Sequence, residues 1–110
     1  MNQHNHLGEF EQLVLLAILR LGANAYGMAL RRELEKRAGR KTSIGALYLT
    51  LDRMEQKGLI QSELGEATPE RGGRAKRFYT VKSSGREALE QSLTAVRRMT
   101  DGCFTVPEAI

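Results

Sequence analysis

The chain has 110 residues, with 17 Lys plus Arg against 13 Asp plus Glu and a formal net charge of +4. That length fits one domain with a modest core, and the basic balance favours nucleic acid or another anionic surface as partner. The single cysteine, Cys103, excludes an internal disulfide. No apolar run spans a membrane and the N-terminus lacks a secretory pattern, so a cytoplasmic location is expected.

Residues 1–8 are polar and are expected as a flexible tail. His4 and His6 lie there without a third ligand nearby, which is not a metal-binding pattern. Residues 10–21 are the most apolar stretch. Phe10, Leu13, Val14, Ala17 and Leu21 form one helical stripe, while Leu15, Leu16, Ile18 and Leu19 cover much of the remaining circumference. A helix apolar nearly all round is buried on more than one side. One face is expected against the core, and another, with Phe10, Leu13 and Leu16, against a second protomer. The alternative is a central helix covered wholly by its own chain.

Gly22, Ala23 and Asn24 form a turn, and residues 26–37 a second helix. Tyr26, Ala29, Leu30 and Leu34 are placed inward, with Arg31, Arg32, Glu33, Glu35 and Lys36 outward. Gly27 costs stability in a first helical turn, which implies close packing there. Residues 38–42 are a short basic connector.

The third helix is the centre of the sequence. Ile44, Leu47, Leu51 and Met54 fall on one face at steps of three and four, with Ser43 as N-cap and Gly58 past the end. The opposite face carries Gly45, Ala46, Leu49, Thr50, Arg53 and Gln56. It is small and lightly charged, which fits close approach to a DNA major groove. An ordinary amphipathic helix shows the same stripe, so the elements that follow decide between them.

Residues 59–64 alternate as a strand, residues 65–74 form a charged Gly- and Pro-containing loop, and residues 76–81 form a second strand. Arg71, Arg74, Lys76 and Arg77 concentrate positive charge on this hairpin, partly offset by Glu66 and Glu70. Ser84 to Glu87 has the pattern of a capping box that opens a fourth helix. Leu89, Leu93 and Val96 then make a narrow stripe suited to pairing with another helix. The expected organisation is a tail (1–8), a DNA-binding domain (9–82), a dimerisation helix (83–100) and a C-terminal tail (101–110).

The order helix, helix, helix, hairpin, helix is mainly α with a small antiparallel β-hairpin. It predicts a winged helix-turn-helix with an added C-terminal dimerisation helix. In that arrangement the third helix reads base edges and the hairpin contacts the phosphate backbone. The candidate DNA-binding residues are Ser43, Ala46, Tyr48, Leu49, Thr50 and Arg53 on the helix, with Arg74, Lys76 and Arg77 on the wing. Tyr48 can equally be a ring packed at the core edge, and Arg53 can equally pair with a carboxylate. The candidate dimer residues are Phe10, Leu13, Leu16, Leu89, Leu93 and Val96.

Three segments also resemble the PadR-type transcriptional regulators. Residues 26–30 resemble the family's Tyr-Gly start of the second helix. Residues 45–60 resemble its Gly-Thr-Leu-Tyr-Pro-x-Leu-x-Arg-Leu-Glu-x-x-Gly-Leu-Ile recognition segment. Residues 73–81 with Gly85 resemble its basic wing. Ala46 stands where the family usually has Thr or Ser, and Leu49 and Ile44 stand where Pro is common. The resemblance implies a homodimer joined through its first and last helices, a two-fold symmetric double-stranded DNA operator, and repression relieved by a small aromatic effector. It also implies the small subtype with one C-terminal helix.

A winged helix used only for protein contacts is the alternative function, separable by salt-dependent DNA binding. No catalytic residues, metal ligands or cofactor site are expected. No nucleophile sits with a base, Gly72 and Gly73 do not join a strand to a helix, and Glu33 with Glu35 or Asp52 with Glu55 are outward helix carboxylates.

Overall fold

In the computed structural model, which describes residues 6–65 and 75–107, the first helix α1 spans Glu9–Leu21 and a short 3-10 turn Gly22–Asn24 follows it. The chain continues through α2 (Gly27–Ala38), α3 (Ile44–Gln56), β1 (Ile60–Leu64), β2 (Arg77–Val81) and α4 (Ser83–Thr100). This is the expected winged helix-turn-helix with an extra terminal helix.

α1 runs through the middle of the core. Its buried residues are Glu11, Val14, Leu15, Ala17 and Ile18, a stripe rotated from the expected one. Phe10, Leu13, Leu16 and Leu21 lie half-buried at the core's edge. Leu15 and Ile18 take the inner positions because α2, β2 and α4 all pack on α1 and cover more of its circumference than one stripe.

The turn between α2 and α3 is fixed by backbone bonds. Gly39 adopts a left-handed φ of 64°, its N–H donates to the Glu35 carbonyl (3.1 Å), and the Arg40 N–H donates to Leu34 (3.0 Å). These bonds satisfy carbonyls that a helix end leaves open. Arg31 Nε donates to the Thr42 carbonyl at 2.8 Å and holds the connector against α2. α3 then starts as expected, with the Ser43 Oγ accepting from the Ala46 N–H at 3.0 Å. Leu47, Leu51 and Met54 are fully buried, each stabilising the fold by about 1.5–3 kcal/mol.

The strands pair antiparallel in the register Ile60↔Val81, Ser62↔Tyr79 and Leu64↔Arg77. A third segment joins them: Tyr26 bridges Phe78, and the Tyr79 N–H donates to the Ala25 carbonyl at 2.9 Å. The wing root is thereby stitched to the start of α2.

α4 opens differently from the expected capping box. The helix begins at Ser83 after Lys82, with no side-chain cap. Ser84 Oγ instead donates to the Gly58 carbonyl at 2.6 Å, and the Lys82 N–H donates to Leu59 at 2.9 Å. These bonds press α4 onto the end of α3, and its first half buries Gly85, Ala88 and Leu89. Leu89, expected at a dimer interface, is only 3% exposed and belongs to the chain's own core. Leu93, Val96 and Met99 lie beyond that core and are exposed by 42, 55 and 77%. Among the described residues no helix is long and apolar enough to cross a membrane.

Candidate nucleic-acid interface

With Leu47, Leu51 and Met54 turned into the core, α3 presents Gly45, Ala46, Tyr48, Leu49, Asp52, Arg53 and Gln56 outward. Leu49 stands at the crest, 68% exposed. Ala46 is exposed beside it, and the Ser43 hydroxyl is engaged as the helix cap. Asp52 puts a carboxylate on the same face. The sequence had it as an outward helix carboxylate but not among the DNA-binding candidates.

Thr50 departs from expectation. It is 6% exposed, and its Oγ1 accepts from Arg53 Nη2 at 3.5 Å. Its position on α3 falls on the flank toward α1, so its hydroxyl serves Arg53 and not an open groove. Arg53 also pairs with Glu11 on α1, Nε to Oε2 at 3.7 Å, while its side chain stays 54% exposed.

Glu11 was not legible as a site residue. Its Oε1 accepts from the Gly8 N–H (3.0 Å) and its Oε2 from Lys57 Nζ (3.1 Å). Burial pushes its carboxyl pKa up, but the Gly8 hydrogen bond, the hydrogen bond and charge of Lys57, and the charge of Arg53 outweigh that and hold it below 4.5. The available signal was its spacing: Glu11, Val14, Leu15 and Ile18 are one buried face, and a carboxylate there needs partners.

The other flank of α3 meets α2 and the wing. The Tyr48 ring is 40% exposed and rests against Gly27, which confirms the close contact expected at that glycine. Tyr79 of β2 is buried near Tyr48, Asp52 and Glu55. Burial first, and those neighbours next, push its phenol up to about 12.

Lys76 and Arg77 flank the wing root. Lys76 Nζ sits 4.2 Å from the centroid of the Tyr26 ring, which also meets Phe78 edge-on at 5.7 Å. The Tyr26 hydroxyl accepts from Arg32 at 3.2 Å. Tyr26, Arg32 and Lys76 thus form a small basic aromatic cluster where α2 meets the wing. The sequence placed Tyr26 inward and Arg32 in solvent, with no sign that they touch. Arg77 is exposed and donates to Ser62 Oγ at 3.0 Å. Arg71 and Arg74 lie outside the described residues.

Away from this surface, a groove of about 530 Å³ runs between α1 and α2. Leu13, Leu16, Ala17 and Leu34 line it, with Arg20, Arg37 and Arg40 among its polar residues. Arg20 and Arg37 both pair with Glu33 at 3.2 Å. Arg40 pairs with Glu9 at 3.1 Å and lies 5.4 Å from the centre of the Phe10 ring.

A third helix with an exposed outer face, a fixed turn before it and a basic hairpin after it define a winged helix-turn-helix DNA-binding protein. The model of the PadR-like family of transcriptional regulators matches residues 15–91. The chain is 37% identical over 94 residues to the transcriptional regulator Rv3488 of Mycobacterium tuberculosis, a match covering 83% of each chain. The chain therefore belongs to the PadR-like family of transcriptional regulators. It is also similar in structure to a PadR family transcriptional regulator from Eggerthella lenta, with TM-score 0.63 and 27% identity over 83% of this chain and 77% of that one. A PadR family regulator from Clostridium difficile gives TM-score 0.60 and 27% identity over 81% of this chain and 94% of that one. The family is one of transcriptional regulators, not of enzymes.

Proposed function

We propose that the protein is a cytoplasmic homodimeric repressor that reads a two-fold symmetric operator with α3 and holds the DNA backbone with its wing. The observation that carries this reading is the outward face of α3. Leu49, Ala46 and Arg53 stand free of the core on a helix whose inner residues are fully buried. A helix so presented fits the major groove. On the wing, Lys76 and Arg77 with Arg74 supply phosphate contacts, and Tyr26 and Arg32 extend that basic strip onto α2. Ser43 contributes from the N-terminal end of the reading face and Tyr48 from its α2 flank.

Pairing is supported by Leu93, Val96 and Met99, an exposed apolar stripe at helical spacing on the free half of α4. Phe10, Leu13 and Leu16, half-buried on α1, offer the matching surface. Relief by a small aromatic effector rests on the family resemblance. Leu13, a candidate dimer residue, also lines the groove between α1 and α2.

The test is selection of duplexes from a randomised pool by the purified protein, then footprinting upstream of its own gene. Enrichment of a two-fold symmetric site is expected. Retention of no duplex at low salt sinks the DNA-binding reading. A screen of phenolic and planar aromatic compounds for changes in DNA affinity and melting temperature tests the effector.

A further inference from the structure

Among the charged residues of α1, Glu9 and Arg20 are exposed and Glu11 is buried. A buried carboxylate must be neutralised and hydrogen-bonded. The Gly8 N–H at 3.0 Å and Lys57 Nζ at 3.1 Å already do both. Arg53 is therefore not needed to satisfy Glu11, yet its Nε lies 3.7 Å from the same oxygen. Thr50 Oγ1, buried beside it, takes a hydrogen from Nη2 at 3.5 Å.

These two contacts turn the Nε and Nη2 side of the guanidinium toward the protein. Nε lies on the Glu11 side as an ion pair, and Nη2 donates one hydrogen to Thr50. Both Nη1 hydrogens and the second Nη2 hydrogen remain, and one from each nitrogen makes the paired edge that grips guanine O6 and N7 or a phosphate. Left alone, an arginine side chain on a helix surface samples many rotamers, and binding must order it.

We propose that Glu11 on α1 is a positioning residue for DNA reading: its buried carboxylate, with Thr50, presents the free edge of Arg53 to the DNA. This rests on the reading of α3 as the DNA-reading helix. Glu11 itself touches no DNA. It also explains a threonine that is neither in the groove nor in the apolar core.

The experiment titrates the duplex selected by the native protein, and a scrambled duplex, with Glu11→Gln, Arg53→Ala and the double variant. Glutamine keeps the acceptor for the Gly8 N–H but removes the charge that Arg53 and Lys57 both pair with. Removing one negative charge by itself strengthens binding to any polyanion. Positioning predicts the reverse for the selected duplex: affinity falls roughly tenfold, the scale of one well-placed base contact, while scrambled affinity holds or rises. In the Arg53→Ala background, Glu11→Gln then costs the selected duplex nothing further, and only its charge effect remains, equal on both duplexes. Equal strengthening on both duplexes overturns the proposal, as do losses that multiply in the double variant. Should Glu11→Gln fail to fold, Thr50→Val removes the other contact without a change of charge: a loss on the selected duplex that vanishes in the Arg53→Ala background supports positioning, and an unchanged selected duplex overturns it. A native protein that selects no duplex defeats the reading of α3 and this inference together. A selected duplex indifferent to Arg53→Ala defeats this inference alone.

Discussion

Tyr48 and Gly27 are in van der Waals contact across the α2–α3 joint, with no room for a side chain between them. A Cβ on Gly27 would lie 2.7 Å from Tyr48 Cζ and closer still to the hydroxyl. The obstacle is the tip of a ring that is 40% exposed, so it can swing outward. Gly27→Ala should therefore change stability by less than about 1 kcal/mol, since relief of the glycine's entropy offsets the poorer packing of the ring. The displaced ring should intrude on the reading face and weaken binding to the selected duplex. Urea melts alongside DNA titrations check both halves.

Gly85→Ala should behave oppositely. A Cβ there would lie 3.1 Å from the Leu59 carbonyl carbon and 3.1 Å from Val81 Cγ1, and nearer to the Leu59 oxygen. That oxygen accepts the Lys82 N–H and cannot swing away. Overpacking against backbone should cost about 1–3 kcal/mol. Urea melts should show a lower midpoint with an unchanged slope. A loss under about 0.5 kcal/mol, within the scatter of surface substitutions, contradicts the tight contact.

Glu11 and Tyr79 make stability fall at opposite ends of the pH scale. The Glu11 carboxyl titrates lower in the fold than in the unfolded chain. Its contribution is present above the unfolded value and is lost as pH drops through the folded one. The stability gap between the native protein and Glu11→Gln should shrink on acidification. The Tyr79 phenol moves from 10.0 up to about 12. Its contribution is whole below the unfolded value and disappears as pH climbs through that window. Denaturant melts of Tyr79→Phe should lack this alkaline loss.

The local pattern carried the elements but not the contacts between them. The α3 stripe of Leu47, Leu51 and Met54, its Ser43 cap and the Gly58 stop are set within one helix, and periodicity finds them. Thr50 lies at the edge of that stripe, and only α1 arriving with Glu11 decides its side. Leu89 and Leu93 look equivalent on one stripe. What separates them is the length of core that α4 crosses after Gly85 seats under Leu59, a distance no spacing encodes. Ser84 had the sequence of a cap, but the Gly58 carbonyl, brought in by the hairpin, took its hydroxyl.

Leu93 is the best single probe of pairing, because it is exposed in the protomer and next in line after the buried Leu89. Leu93→Asp should leave the protomer's own core intact and place a charge in the proposed two-fold interface. Light scattering should give the mass of two chains for the native protein at micromolar concentration, and of one chain for the variant. A one-chain mass for the native protein removes the dimer.

Wing and helix should separate by salt. Two protomers, each using about three wing cations, neutralise about six phosphates and give a log–log salt slope near −5. Lys76 is held over the Tyr26 ring at 4.2 Å, so its charge is already placed before DNA arrives. Lys76→Ala should weaken selected and scrambled duplexes alike and make the slope shallower by about one for each phosphate no longer neutralised. Arg74→Ala should do the same if the wing tip follows the backbone. Arg53→Ala should differ: a base contact contributes to discrimination, so its removal should fall mainly on the selected duplex. Titrations of the three variants at several salt concentrations decide the matter. A Lys76→Ala protein that loses only selected-duplex affinity, at an unchanged slope, would show the wing reading sequence and overturn its assignment to the backbone.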